Sequence, residues 1–257
     1  MNSPIAYVGG KSRLSKTIIP LIPDHKTYCE ACAGAGWIFF KKEPSQFEIL
    51  NDLDGDLISF YRVIKHHLEE FLKQFKWVVA SREWFKEWNR QIDTESLTDI
   101  QRAARFYYIQ RLCFGGRVRG RTFSASPDRS LRIPFPRMEE ELFQIHERLR
   151  DCVIEHLPWQ AFIPKYDRPE TFFFIDPPYY KAPEYRYNMA LDDYLKMADL
   201  LKGIEGKFLL TINDRPEMRS AFSGFEMKEV TLRYSINSDK STDGRELIFT
   251  NYRPASL

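Results

Sequence analysis

No stretch of this 257-residue chain stays apolar for the roughly twenty residues that a membrane helix needs, so no spanning segment is expected. The opening Met1-Asn2-Ser3-Pro4 lacks the apolar core of a secretory signal. Cysteine is scarce. Its four residues are unevenly spaced, which argues for an intracellular protein without a disulfide framework. Cys29 and Cys32 form a lone C-x-x-C, and Cys113 and Cys152 supply no second pair at zinc-site spacing, so no metal is expected. Internal repeats and low-complexity linkers are missing too. An overall excess of one charge is also absent, the net charge being only +2. What is present is 43% hydrophobic and 29% charged residues, which suits one α/β domain with room for a smaller insert.

The stretch Thr171-Phe172-Phe173-Phe174-Ile175-Asp176-Pro177-Pro178-Tyr179-Tyr180 organises the chain. Its apolar, aromatic run reads as a buried strand. Pro177 and Pro178 cannot donate to a ladder and end it abruptly. The residue before a proline is pushed to extended geometry, which holds Asp176 at the strand's carboxyl end. Ligands of open α/β sheets bind at such ends. A carboxylate, a rigid carbonyl and tyrosine rings there could accept from an amino group and stack on a planar base.

The N-terminal Ile5-Ala6-Tyr7-Val8-Gly9-Gly10-Lys11-Ser12 contains a G-K-S triplet, but a phosphate-binding loop would need glycine where Ile5 stands. Two readings remain: a glycine turn before a helix over 12–21 with Lys11 solvated, or a close backbone approach with Tyr7 and Lys11 touching a ligand. Thr27 to Phe40 reads as a short strand, a small-residue loop and a helix start. Gly34-x-Gly36 allows close backbone approach, although Phe39 replaces the third glycine of a dinucleotide fingerprint. The strand 47–51 runs into Asp52, which could hold a ribose hydroxyl pair or cap a helix over 53–75. The order of glycine loop, strand and acid favours the ligand role.

Helical spacing continues from Trp77 to Arg111. The segment Cys113 to Arg137 then changes character. Six arginines (Arg117, Arg119, Arg121, Arg129, Arg132 and Arg137) face Asp128 alone, a net charge of +5, among glycines, serines and prolines. A basic, turn-rich arm of this kind suggests a nucleic-acid surface, with a solvated loop as the alternative. Further on, a helix is expected over 138–150, and a strand from Cys152 whose exit loop carries Trp159 as core packing or as a ring wall. His156 reads as structural. A helix over 191–201, a strand over 206–212, a short helix over 215–222 and strands over 225–230 and 246–250 complete the chain.

Taken jointly, these stretches resemble the Dam-like, D12-class DNA adenine-N6 methyltransferases of the α group. Tyr7-x-Gly9-Gly10-Lys11 is similar to the family's N-terminal cofactor motif, and Tyr28-x-Glu30-x-x-Ala33-Gly34-Ala35-Gly36 to its glycine motif. Asn51-Asp52 matches its ribose-binding acid, and Asp176-Pro177-Pro178-Tyr179 its catalytic tetrad. Phe114-Gly115-Gly116-x-x-Arg119 and Ile133-Pro134-Phe135 are similar to its DNA-contacting hairpin. The chain departs from the pattern at Ala31-Cys32, where Pro-Phe is usual, and at Pro158-Trp159, where Asp-Phe is usual. The hairpin tip, 122–130, departs too, so a GATC target is not implied.

The resemblance implies a Rossmann-like class I S-adenosylmethionine-dependent core, 1–77 and 150–257, with a mainly helical target-recognition insert, 78–149, carrying a basic β-hairpin. It implies S-adenosylmethionine as methyl donor, held by Tyr7, Gly10, Lys11, Glu30, Ala33, Gly34, Gly36, Asp52, Trp159 and Asp176. It also implies double-stranded DNA as partner, contacted by Arg117, Arg119, Arg121, Arg129 and Arg132. A flipped adenine would meet Asp176, Pro177, Pro178 and Tyr179. Bacterial or phage-host cytoplasm and no obligate protein partner are expected. A catalytically inactive DNA-binding module, or a methyltransferase acting on RNA or a protein amine, stands as the alternative.

Overall fold

The computed structural model describes residues 1–91, 96–124, 133–183, 185–235 and 241–254, without the side chains of 232–243. Its strands are β1 (Thr27–Glu30), β2 (Phe47–Asn51), β3 (Val153–Glu155), β4 (Thr171–Ile175), β5 (Lys207–Asn213), β6 (Glu226–Ser235) and β7 (Ser241–Thr250). They form one sheet in the order β3-β2-β1-β4-β5-β7-β6. The first five are parallel, and β7 runs antiparallel between β5 and β6. This is the Rossmann-like architecture expected. Parallel strands covered on both faces should be apolar throughout, and all five residues of β4 are buried.

The helices are α1 (Ser15–Ile18), α2 (Trp37–Lys41), α3 (Gly55–His66), α4 (Leu68–Lys73), α5 (Arg82–Arg90), α6 (Asp99–Leu112), α7 (Met138–Leu149), α8 (Trp159–Tyr166), α9 (Leu191–Lys202) and α10 (Pro216–Ala221). One sheet face, with Tyr28, Leu50, Phe172 and Phe174, packs in a cluster with residues of α1, α2, α3, α6 and α7. The other face, with Cys29, Phe173, Ile175 and Leu210, packs with α8, α9 and α10. The helices of 78–149 are not a detached unit. On α6, Tyr107 stacks on Phe60 of α3 at 5.6 Å, and Phe106 and Tyr107 share the first cluster.

Three expectations change in detail. The helix over 12–21 shrinks to α1 followed by a 3-10 turn containing Pro20. The helix over 53–75 starts later and breaks at His67, whose φ of −140° is not helical. Trp159 opens α8 after the extended Pro158 instead of lying in a loop. At the foot of the arginine arm, Cys113 and Phe123 form an antiparallel bridge, Phe114 N–H donates to the Thr122 carbonyl at 2.9 Å, and Ser124 N–H donates to that of Leu112 at 2.8 Å. That is the start of the expected hairpin. The tip, 125–132, lies outside the described residues.

Phe173 is fully buried in the central strand. Phe173→Ala should cost about 3–5 kcal/mol of stability, read as a lower midpoint in urea unfolding. A loss below about 1 kcal/mol would show that this face repacks freely.

Candidate active site

Strand order reverses between β1 and β4: β2 and β3 lie to one side, β5, β7 and β6 to the other. Such a reversal leaves a crevice at the carboxyl ends of the strands. Glu30 ends β1, Asn51 ends β2, and Asp176 follows β4 directly. A cavity of about 280 Å³ opens there. Tyr7, Gly10, Lys11, Glu30, Ala33, Gly34, Asp52, Trp159, Asp176 and Pro178 all line it. Gly36, Pro177 and Tyr179 do not. Gly36 sits instead at the N-cap of α2 with a left-handed φ of 62°, the conformation that glycine adopts without cost.

Lys11 is not the solvated side chain that one reading of the glycine turn required. Its ammonium is 4% exposed and lies 2.6 Å from Oδ1 and 2.7 Å from Oδ2 of Asp176. It also donates to the Gly9 carbonyl at 2.9 Å and lies 4.7 Å from the centre of the Tyr179 ring. Thr211 on β5 donates to Asp176 Oδ1 at 2.8 Å. Burial raises the Asp176 pKa, Lys11 and Thr211 oppose that, and the nearby Glu246 adds to it. Tyr179 is kept protonated by burial and by the charges of Asp176 and Glu246.

The turn after β4 is clamped on two sides. Asn213 accepts from Tyr180 N–H and donates to the Tyr180 carbonyl, both at 3.0 Å. The Tyr194 hydroxyl donates to the Pro178 carbonyl. The glycine loop is tied to β2. The Gly34 amide donates to Asp52 Oδ2 and the Asp54 amide to Asp52 Oδ1, each at 2.8 Å. Asp52 is therefore not the helix cap. Asp54 is, accepting from the Asp56 amide at 3.1 Å. Asn51 bonds the Ala31 and Leu157 carbonyls and the Leu157 amide, which fixes the chain just before Trp159.

Arg117 and Arg119 are exposed on the arm, while Arg129 and Arg132 lie outside the described residues. Arg121 turns inward and donates to the Arg117 carbonyl at 3.3 Å and to Gln110 Oε1 at 3.4 Å. Sequence reasoning missed part of the cavity wall: Trp37, Asp54 and the segment from Tyr185 to Met189. The last had a signal, because a polar, aromatic loop directly after a switch-point strand must cross the crevice.

A match to the family described as D12 class N6 adenine-specific DNA methyltransferase covers residues 7–236. The chain belongs to this family. It is 26% identical to the type II methyltransferase M.CviBI of Paramecium bursaria Chlorella virus NC1A, over 98% of each chain. It is 24% identical to the type II methyltransferase M1.LlaDCHI of Lactococcus lactis subsp. cremoris, over 96% of this chain and 94% of that one. It is 26% identical to the DNA adenine methylase of Escherichia coli K12, over 93% of this chain and 90% of that one. This D12-class enzyme thus methylates the N6 amino group of adenine in DNA, with S-adenosylmethionine as donor. Among its described residues no helix is long and apolar enough to cross a membrane.

Two buried acids give this methyltransferase a pH signature. Burial pushes Glu30 from its ordinary 4.5 up to about 7, against hydrogen bonds from the Tyr28 hydroxyl and the Phe39 amide. Burial likewise pushes Asp52 from 3.8 up to about 6. Folded pKa values above the unfolded ones mean that the folded chain keeps protons the unfolded chain has released. Their stabilising contribution is full below about pH 4 and is lost as the pH climbs to about 7. Glu30→Gln keeps an acceptor oxygen and removes the titration. Its stability should fall less than the wild-type chain's between about pH 5 and about pH 8, by on the order of 1–3 kcal/mol. Equal losses in urea unfolding at the two pH values would remove Glu30 as the cause.

Proposed function

We propose that the cavity between β1 and β4 holds S-adenosylmethionine, and that Asp176, Pro177, Pro178 and Tyr179 receive an adenine flipped out of a specific double-stranded DNA sequence. The observation that carries this reading is the charge of the wall. Among the described residues, Glu30, Asp52, Asp54, Asp176 and Asp193 line the cavity against Lys11 and Arg186 alone. A donor bearing a sulfonium and an ammonium suits an acidic wall. A dinucleotide pyrophosphate would be repelled by it. Ala33 and Gly34 would let the donor approach the backbone, with Gly36 shaping the turn behind them, and Gly10 and Lys11 would close the facing side with Tyr7. The Gly34 and Asp54 amides each donate to one oxygen of Asp52, and the carboxylate would offer its remaining acceptor capacity to a ribose hydroxyl. Trp159 would supply the ring wall.

Bound there, S-adenosylmethionine supplies an electrophilic methyl group. The adenine amino nitrogen is a weak nucleophile because its lone pair is delocalised into the ring. Asp176 and the Pro177 carbonyl would accept its two hydrogens, localise that lone pair and aim it. Lys11 would hold Asp176 ionised against burial, so that the carboxylate stabilises the positive charge growing on nitrogen and takes up the released proton. Tyr179 would stack on the base. Residues 1–77 and 150–257 would form the catalytic part and 78–149 the recognition part, working in the cytoplasm without an obligate protein partner.

Asp176→Ala should abolish transfer of labelled methyl groups to duplex DNA, and Asp176→Asn, which keeps an acceptor but not the charge, should retain a trace. The modified nucleoside is then identified by mass. Full activity in Asp176→Ala would sink the assignment.

The exposed Arg117 and Arg119, together with Arg129 and Arg132, would contact the DNA, while Arg121, turned inward, would brace the foot of the arm. Each phosphate contact removed should lower the salt slope of binding by about one. Each base contact removed should relax preference at one position by about 1–3 kcal/mol. An arm with the four contacting arginines replaced by alanine that kept its affinity and slope would be only a solvated loop.

A further inference from the structure

The described chain after the catalytic turn, residues 181–183 and 185–190, crosses the cavity toward α9. It begins with a reversal: Ala182 N–H donates to the Tyr179 carbonyl at 3.1 Å, and Lys181 has a φ of 58°, a left-handed conformation that costs a lysine energy. Tyr185, Arg186, Tyr187, Asn188 and Met189 then line the cavity. The Tyr185 hydroxyl comes close against Gly9, where a built Cβ would lie 2.4 Å from it. On the far side, Arg186 Nη1 donates to Asp54 Oδ1 at 3.0 Å and to Asp56 Oδ2 at 2.9 Å. Its guanidinium also lies 5.6 Å from the Tyr187 ring centre. Asp54 and Asp56 are nearly inaccessible, while Arg186 is 44% exposed. One side of this contact is thus buried and the other is open to solvent.

The contact reaches beyond this segment. Arg102 of α6 donates from Nε to the other oxygen of Asp56 at 2.6 Å. Tyr7 of the N-terminal motif donates to Asp54 Oδ2 at 3.1 Å. Catalytic loop, N-terminal motif and recognition helix therefore meet on two adjacent carboxylates.

We propose that Arg186 is a positioning residue, a latch that holds the strap closed over the cavity and links retention of S-adenosylmethionine to the seating of the recognition helix through Asp56. This rests on the cavity being the donor site. A bound donor leaves only when the strap lifts, and lifting requires both contacts of Arg186 to break.

Stopped-flow measurement of donor release, with Trp37 and Trp159 in the cavity wall as fluorescent probes, tests it directly. Arg186→Ala should speed release by about tenfold, the scale of one charge-assisted hydrogen bond. Its KM for S-adenosylmethionine should rise by more than kcat falls, with duplex DNA as substrate. Arg186→Lys, which keeps a single point charge, should restore part of both. Asp52→Ala is measured beside them. If Asp52→Ala binds the donor like the wild-type chain, the assignment of the cavity fails. If Asp52→Ala binds weakly while Arg186→Ala releases at the wild-type rate, the latch alone is wrong. Should Arg186→Ala not fold, amide exchange of the wild-type chain decides: donor-induced protection of residues 185–190 supports the latch, and unchanged exchange overturns it.

Discussion

A lysine ammonium and an aspartate carboxylate, 165 residues apart in the chain, meet below 3 Å beneath a cavity, and much of the surrounding architecture serves that meeting. Burying two charges costs more than their attraction returns unless further hydrogen bonds complete the arrangement. Here Thr211 and the Gly9 carbonyl complete it. A hydrophobic pair of the same volume would hold the fold as well or better, so the pair is weak evidence for stability and strong evidence for a site. Its position follows from topology. Only where β1 and β4 are adjacent does an N-terminal glycine turn reach the end of a strand formed so much later.

Helix α6 enters the same arrangement through a second buried group. Gln110 on α6 is fully buried. Its amide donates to the Ala6 carbonyl at 2.8 Å and to the Gly116 carbonyl at 2.7 Å. The Gly116 carbonyl also accepts from Val8 N–H at 3.0 Å. A Cβ on Gly116 would lie 2.7 Å from the Ala6 and Tyr7 backbone, so only glycine allows the two segments to lie together. The foot of the arginine arm and the motif bearing Tyr7 and Lys11 are thus one rigid joint. A shift of the arm would be felt at Lys11, the residue directly after the glycine turn.

Much of this was legible in the sequence because the informative residues break local rules. Two prolines after a five-residue apolar strand, and small residues where a helix should begin, have few structural explanations. Asp52 was legible from the order of glycine loop, strand and acid, and Trp159 as one of two open readings that the family resemblance favoured; the structure brings both to one cavity. The 181–190 strap escaped because its residues obey no period, and because a guanidinium pairing with Asp54 and Asp56 130 or more positions away leaves no local trace. Helix boundaries escaped for a simpler reason. His67 interrupts an apolar pattern that itself continues into α4, so periodicity alone could not place the break. Asp54 was hidden by its neighbour: two acids two residues apart can exchange the roles of cap and ligand, and only the hydrogen bonds separate them.

The opposite charges of the two working surfaces explain why the net charge said so little. Among the described residues, five carboxylates against two cations line the cavity, while the arm from Cys113 to Arg137 carries +5. The two nearly cancel in the sum and would interfere if they mixed. An acidic wall repels a phosphate backbone, so on the proposed reading the DNA would be held at the rim and only a neutral base would enter. A basic arm repels a cationic donor, which on the same reading would steer the donor to the cavity. Lys11 and Arg186 are the cations inside that boundary, and both are committed to carboxylates, Lys11 to Asp176 and Arg186 to Asp54 and Asp56. Their pairing leaves the wall acidic while preventing its carboxylates from repelling one another apart, which is what allows so many acids to converge on one small volume.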